Sequence, residues 1–265
     1  MPAPPAPAPL HCETMGPDKG RPVVLLHGFP FDGRMWKATV PVLASAGYRV
    51  VVPDLRGHGR SPVAAPASME AMARDVAQLL EDKGLRRCIV VGFSMGGYVA
   101  LQLALRHREL LSGLVLVDTR AEADSDEAKA GRRKLIADLQ ARGMAAAVDA
   151  MMPKLVSDKT RQAYLAVPDL LETLMREQPP AGAVLAVQGM MDRPDMRGKL
   201  SGLNIPCLVV AGELDQITPM DGAMRMAQAF RGSEFFMVPD AGHASPVEQP
   251  EPFHRTLLDW LARVP

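Results

Sequence analysis

Residues Cys88–Ala104 read CIVVGFSMGGYVALQLA, and this stretch decides the fold. Cys88-Ile-Val-Val-Gly92 is an apolar, β-branched run of the kind that forms a buried parallel strand. From Tyr98 to Leu105 the apolar residues recur at helical spacing. Between them lies Gly92-Phe93-Ser94-Met95-Gly96, a G-x-S-x-G pattern. A strand that passes at once into a helix must fold its backbone sharply. The turning residue is strained, and the flanking glycines remove side chains that would collide. Such a turn lifts one hydroxyl out of the sheet, at a helix N-terminus whose free N–H groups favour developing negative charge. Ser94 is therefore the candidate nucleophile.

The pattern around this stretch repeats its strand–helix rhythm. Apolar runs at Pro22–Leu26, Tyr48–Pro53 and Gly113–Val117 alternate with helical spacing of Trp36, Val40 and Leu43, and of Met72, Val76, Leu79 and Leu80. Ser68 stands where it caps the second of these helices. Alternation of this kind predicts an α/β fold with a mostly parallel sheet and helices on both faces. From Thr119 to Leu200 the rhythm changes to helical signals without a clear strand: Leu135, Ile136 and Leu139; Met144 to Leu155; Leu170 to Met175, stopped by Pro179-Pro180; and Val184 to Met191. This segment, 119–200, is expected to be a helical lid, with its charged stretch Glu122–Lys134 as a solvated face. Strand–helix alternation resumes at Pro206–Ala211 and ends in a helix over Glu251–Arg263. The core thus comprises 19–118 and 201–265. Residues 1–18, rich in Pro and Ala at their start, are expected to form an extended, flexible tail.

Composition narrows the functional classes. Lys+Arg and Asp+Glu both number 30, so the basic field typical of nucleic-acid binders is missing. No apolar run reaches the roughly 18 residues of a membrane span. The N-terminal stretch lacks the basic and apolar regions of a secretory signal, and the three cysteines, Cys12, Cys88 and Cys207, have no metal-knuckle spacing. A cytoplasmic enzyme is expected. There is no G-x-x-x-x-G-K-[ST] and no G-x-G-x-x-G after the first strand, and no H-E-x-x-H, so neither cofactor nor metal is expected.

A serine hydroxyl is a weak nucleophile near neutral pH. It needs a base, and the base needs a third group to orient it. Of the six histidines, His11 lies in the tail, His107 and His254 in helices, His27 in the first turn and His58 in a surface-type loop. His243 alone follows the last strand, in Asp240-Ala-Gly-His243, and ligands of open α/β sheets bind beyond the carboxyl ends of the strands. With a G-x-S-x-G nucleophile the acid falls between serine and histidine in chain order. Asp215 fits best, because its loop leaves the carboxylate free beyond the sheet; Asp118 and Glu213 are the alternatives. An oxyanion needs N–H donors. That of Met95, just after the nucleophile, is one, and that of Phe29 in the turn His27-Gly28-Phe29 is the other. His27 itself is expected to bond nearby backbone and hold that turn.

These motifs together resemble the α/β-hydrolase family: His27-Gly-Phe-Pro30, Asp54-Leu-Arg-Gly-His-Gly-Arg-Ser61, Gly92-Phe-Ser-Met-Gly-Gly97, Gly212-Glu-Leu-Asp215 and Ala241-Gly-His243 occur in the family's order from about Pro22 to Leu261. Within it the sequence is most similar to small serine esterases, 3-oxoadipate enol-lactonase-like hydrolases and cofactor-free haloperoxidase-like esterases. The resemblance implies hydrolysis of small-molecule esters or lactones through an acyl-enzyme. Haloalkane dehalogenases and epoxide hydrolases of this fold carry aspartate where Ser94 stands, which argues against those chemistries. Two other readings remain: a C–C bond hydrolase of diketone-type substrates using the same triad, and a non-catalytic receptor for a small ligand. Substrate contacts are expected from the lid, with Met144 and Met191 as adaptable apolar walls and Arg120 and Arg193, near the lid's two junctions, as carboxylate binders. Ordinary helix packing and surface salt bridges are the competing roles for these four.

Overall fold

The computed structural model describes residues 6–264. Seven strands form one sheet: β1 (Cys12–Met15), β2 (Pro22–Leu26), β3 (Arg49–Pro53), β4 (Cys88–Phe93), β5 (Leu111–Val117), β6 (Cys207–Gly212) and β7 (Glu234–Val238). Their order is β1-β3-β2-β4-β5-β6-β7. All neighbours run parallel except β1, which pairs antiparallel with β3. β4 lies at the centre with every residue buried, as its unbroken apolar run requires.

The helices before the insertion are α1 (Thr39–Ser45), α2 (Met69–Asp82) and α3 (Met95–Arg106). Ser68 caps α2 by accepting the Ala71 N–H, an interaction worth about 1 kcal/mol. Between β5 and β6 the chain forms α4 (Asp126–Arg142), α5 (Ala145–Leu155), α6 (Asp158–Ala163), α7 (Ala166–Arg176), α8 (Pro180–Met191) and α9 (Arg197–Leu200). After β6 come α10 (Met220–Ala229), α11 (Ser245–Glu248) and α12 (Pro250–Arg263). α2 packs on α3, α1 on α12, and α4 on α8. Among the described residues no helix is long and apolar enough to cross a membrane.

The expected tail is corrected in part. Residues 1–5 lie outside the described residues, but Cys12–Met15 is an edge strand in register with Val50–Pro53. The chain before it is tied down as well: Ala8 N donates to Asp75 Oδ1 at 2.8 Å and His11 N to Ser61 Oγ at 2.9 Å. β1 escapes sequence reading because an edge strand with exposed side chains needs no apolar alternation.

The helical insertion sits on the carboxyl-end loops of the sheet through close backbone contacts. A Cβ placed on Gly182 would lie 1.8 Å from the Gly57 carbonyl oxygen, and one on Gly189 would lie 2.0 Å from that of Ala67. Gln178 ties the α7–α8 turn to the core: its Nε2 donates to Asp32 Oδ2 at 2.8 Å, and its Oε1 accepts the Gly59 N–H at 2.8 Å.

Candidate active site

Ser94 joins β4 to α3 with φ 49° and ψ −112°, a left-handed conformation that strains a non-glycine residue. Glycine is required on both sides of it. A Cβ on Gly92 would lie 2.5 Å from the Gly96 carbonyl oxygen, and one on Gly96 would lie 2.4 Å from that of Leu26. The turn is held by Ser94 N donating to Val117 O at 2.9 Å, and by Thr119 Oγ1 donating to Ser94 O at 2.8 Å.

Two other loops converge on this serine. His243 Nε2 is 2.9 Å from Ser94 Oγ, and His243 Nδ1 is 2.8 Å from Asp215 Oδ2. The ring is 1% exposed and packs 5.2 Å from the Phe93 ring. An ionised Asp215 only accepts, so Nδ1 carries the proton and Nε2 presents its lone pair to the serine hydroxyl. Asp215 is itself held by Ile217 N and Thr218 N, at 2.7 and 2.8 Å from Oδ1, and by Thr218 Oγ1, 2.5 Å from Oδ2. Burial alone would raise its carboxyl; the charge and hydrogen bond of His243, with the Thr218 donors, outweigh it and hold the carboxyl at about 2.

The alternative acids are engaged elsewhere. Asp118 is fully buried; its Oδ1 accepts the Gly212 N–H at 2.7 Å and its Oδ2 accepts Ser245 N at 3.2 Å and Ser245 Oγ at 2.6 Å. Burial, and then the charge of Asp215, push its carboxyl well above the ordinary range. Glu213 is exposed and accepts the Asp240 N–H.

Met95 opens α3, and Phe29 lies in the turn after β2. Neither backbone N–H has a backbone acceptor among the described residues, and Phe29 lines the cavity beside Ser94. His27 braces that turn as expected: its Nε2 accepts the Leu55 N–H at 2.8 Å, so its Nδ1 donates to Gly28 O at 2.9 Å. Burial lowers its basicity, which suits this neutral tautomer. His58 is not at the surface; it is fully buried, edge-on to His27 at 5.2 Å, and burial pushes it down to about 3.

A cavity of about 310 Å³ adjoins Ser94. Phe29, Leu135, Ala150, Met151, Met190 and Ile217 give it apolar walls, and Tyr98, Arg120, Asp124, Arg132 and Lys154 are its polar groups. A larger cleft of about 480 Å³ lies away from the serine, between Asp32, Arg34, Asp54, Arg60 and Glu177. Both its arginines are already paired, Arg34 with Asp32 and Glu177 and Arg60 with Glu13, and none of Ser94, Asp215 and His243 lines it.

Of the four expected substrate contacts only Arg120 lines this cavity. Met144 is buried in the core, and Met191 is turned away while its neighbour Met190 faces in, because successive helix residues point about 100° apart. Arg193 is a structural clasp. Its guanidinium donates to Asp124 Oδ1 at 2.7 Å, Met190 O at 2.8 Å and Glu122 O at 2.9 Å, and lies 4.2 Å over the Tyr98 ring of α3. The expectation of a solvated Glu122–Lys134 face is corrected at two positions, since Asp124 and Arg132 both turn into the cavity. Arg132 and Lys154 carry no local sequence signal; only the packing of α4 and α5 over the strand ends brings them there, whereas Tyr98 comes from the first turn of α3, directly after the candidate nucleophile.

The profile of the α/β-hydrolase fold family matches residues 21–250. A Variovorax paradoxus protein named for carbamate hydrolysis is 34% identical over 262 residues, 97% of each chain. A thermophilic esterase from Thermogutta terrifontis, solved with malate bound, superposes with a TM-score of 0.92 at 40% identity, over 96% of this chain and 93% of that one. The enol-lactonase of Burkholderia xenovorans superposes with a TM-score of 0.89 at 26% identity, over 96% of each chain.

Proposed function

The chain belongs to the α/β-hydrolase fold family, and within it we propose a serine hydrolase that cleaves carboxylic ester or lactone bonds of small molecules. The observation that carries this reading is the unbroken relay from Ser94 Oγ to His243 Nε2 at 2.9 Å and from His243 Nδ1 to Asp215 Oδ2 at 2.8 Å.

Ser94 Oγ attacks the substrate carbonyl while His243 Nε2 takes the hydroxyl proton. Asp215 stabilises the imidazolium and keeps the ring oriented. The carbonyl electrons move onto oxygen, which the Phe29 and Met95 N–H groups receive; one such donor is worth about 2.7–4 kcal/mol. Collapse of this adduct breaks the C–O bond, and His243 returns the proton to the leaving alkoxide. In a lactone the alkoxide stays tethered to the acyl group. Water, deprotonated by His243, then attacks the acyl-enzyme and releases the acid with Ser94 restored. The helices between Asp126 and Leu200 serve as the cap of this site, and α4, α5 and α8 supply cavity walls. A C–C hydrolase would use the same groups, and product analysis separates the two.

The test is hydrolysis of p-nitrophenyl acetate by the wild type and by Ser94→Ala, with the acyl-enzyme trapped and weighed by mass spectrometry. The variant is expected to lose about 10⁶ in kcat, as removal of a triad serine does elsewhere, and to show no acyl adduct. Wild-type turnover by Ser94→Ala, with its fold intact by circular dichroism, would refute the mechanism.

A further inference from the structure

The charge around the Ser94 cavity is one-sided, although the chain as a whole carries equal numbers of acidic and basic residues. Arg120, Arg132 and Lys154 line it, and Asp124 is the one carboxylate among the lining residues. Asp124 is already committed. Arg132 Nε and Arg193 Nη1 both pair with it, and its side chain is 3% exposed. Arg120 and Lys154 have no carboxylate within ion-pair distance among the described residues. The Arg120 guanidinium, half-buried, donates only to the carbonyl of Ile217. Lys154 stands exposed near the end of α5, at the rim.

A half-buried guanidinium without a counter-ion gives up hydration and regains little of it from one carbonyl. Low-dielectric walls then focus its field into the cavity instead of letting water screen it. The remaining walls, Phe29, Leu135, Met151, Met190 and Ile217, are apolar and suit a short methylene chain. From this we infer that the preferred substrate is a small ester whose acyl chain ends in a carboxylate, with Arg120 and Lys154 supplying the positive charge that the carboxylate faces. The inference rests on the hydrolase reading above, and it adds a substrate class and two specificity-determining residues to it.

The experiment compares two methyl esters of equal length that differ only at the far end, monomethyl glutarate and methyl pentanoate, by methanol release at low and high ionic strength. The expected result is kcat/KM at least about tenfold higher for the anionic ester at low salt, a preference that shrinks as salt screens the field. Lys154→Gln, at an exposed position tolerant of change, is expected to reduce that preference several-fold, mainly through KM, and Arg120→Gln/Lys154→Gln to abolish it. The neutral ester is expected to lose much less in either variant. Equal kcat/KM for the two esters in the wild type, or a preference that survives in the double variant, overturns the substrate class. In either case Ser94-dependent cleavage of methyl pentanoate would leave the hydrolase reading intact. If neither methyl ester nor p-nitrophenyl acetate is cleaved, the hydrolase reading fails and this inference falls with it.

Discussion

Ser245 Oγ donates to Asp118 Oδ2 at 2.6 Å, two residues beyond His243, while Asp118 Oδ1 accepts the N–H of Gly212, three residues before Asp215. One buried carboxylate thus ties the His243 loop to the root of the Asp215 loop, without touching the imidazole.

That division of labour ranks the two aspartates. Asp215→Asn replaces the group that fixes the His243 tautomer, and kcat is expected to fall by about 10⁴. Asp118→Asn keeps an acceptor for Gly212 and is expected to be far milder. Steady-state kinetics on one ester substrate decide this, and the reverse ranking would exchange the two roles.

The same aspartates predict opposite pH effects on stability. Asp215 is held at about 2 against an ordinary 3.8, so its contribution, on the order of 2 kcal/mol, is present above 3.8 and lost as pH falls through 2. Asp118 is raised, so the stability that depends on its proton is full below the ordinary carboxylate range and lost as pH rises through its elevated value. Asp118→Asn cannot ionise. Its melting temperature relative to wild type is therefore expected to improve as pH rises above the ordinary carboxylate range. A relative decline over that range would contradict the assignment.

Gly182 is the tightest seat of the helical insertion on the core. Gly182→Ala drives a methyl into the Gly57 carbonyl and is expected to destabilise by about 1–3 kcal/mol, or more if α8 lifts. Gly198→Ala, in α9 with nothing within 4 Å of the added carbon, is the control and is expected to be neutral or slightly stabilising. Urea unfolding of both variants measures the difference. Equal stabilities would mean that the insertion yields at this contact.

Arg193 reaches three acceptors and an aromatic face with one planar group, a geometry that lysine cannot reproduce. Arg193→Lys is expected to lose about 1–3 kcal/mol of stability. Because Arg193 stands behind the cavity wall, the anionic-ester preference should survive in this variant. Collapse of that preference, with stability unchanged, would return Arg193 to a substrate-binding role.

Much of this was legible in the chain. The sharp strand–helix turn at Ser94, the succession of the six parallel strands along the sequence, and the candidacies of Ser94, Asp215 and His243 rest largely on local backbone demands. A strained strand–helix turn needs glycine at Gly92 and Gly96, a buried parallel strand needs an unbroken apolar run, and a loop after a strand carries its polar residue to the sheet's carboxyl edge. These signals lie within a few residues of one another, so the sequence by itself determined them. The tertiary structure alone decided what depends on long-range packing. It placed β1 at an edge where no apolar pattern was needed. It separated Met190 from Met191 by a helical rotation, and it buried His58 against His27. It also set Asp118 as a brace and Arg193 as a clasp, and gathered Arg120, Arg132 and Lys154 around one cavity. Whether a charge is solvated, paired or aimed at a substrate depends on which distant surface closes over it, and no local pattern encodes that.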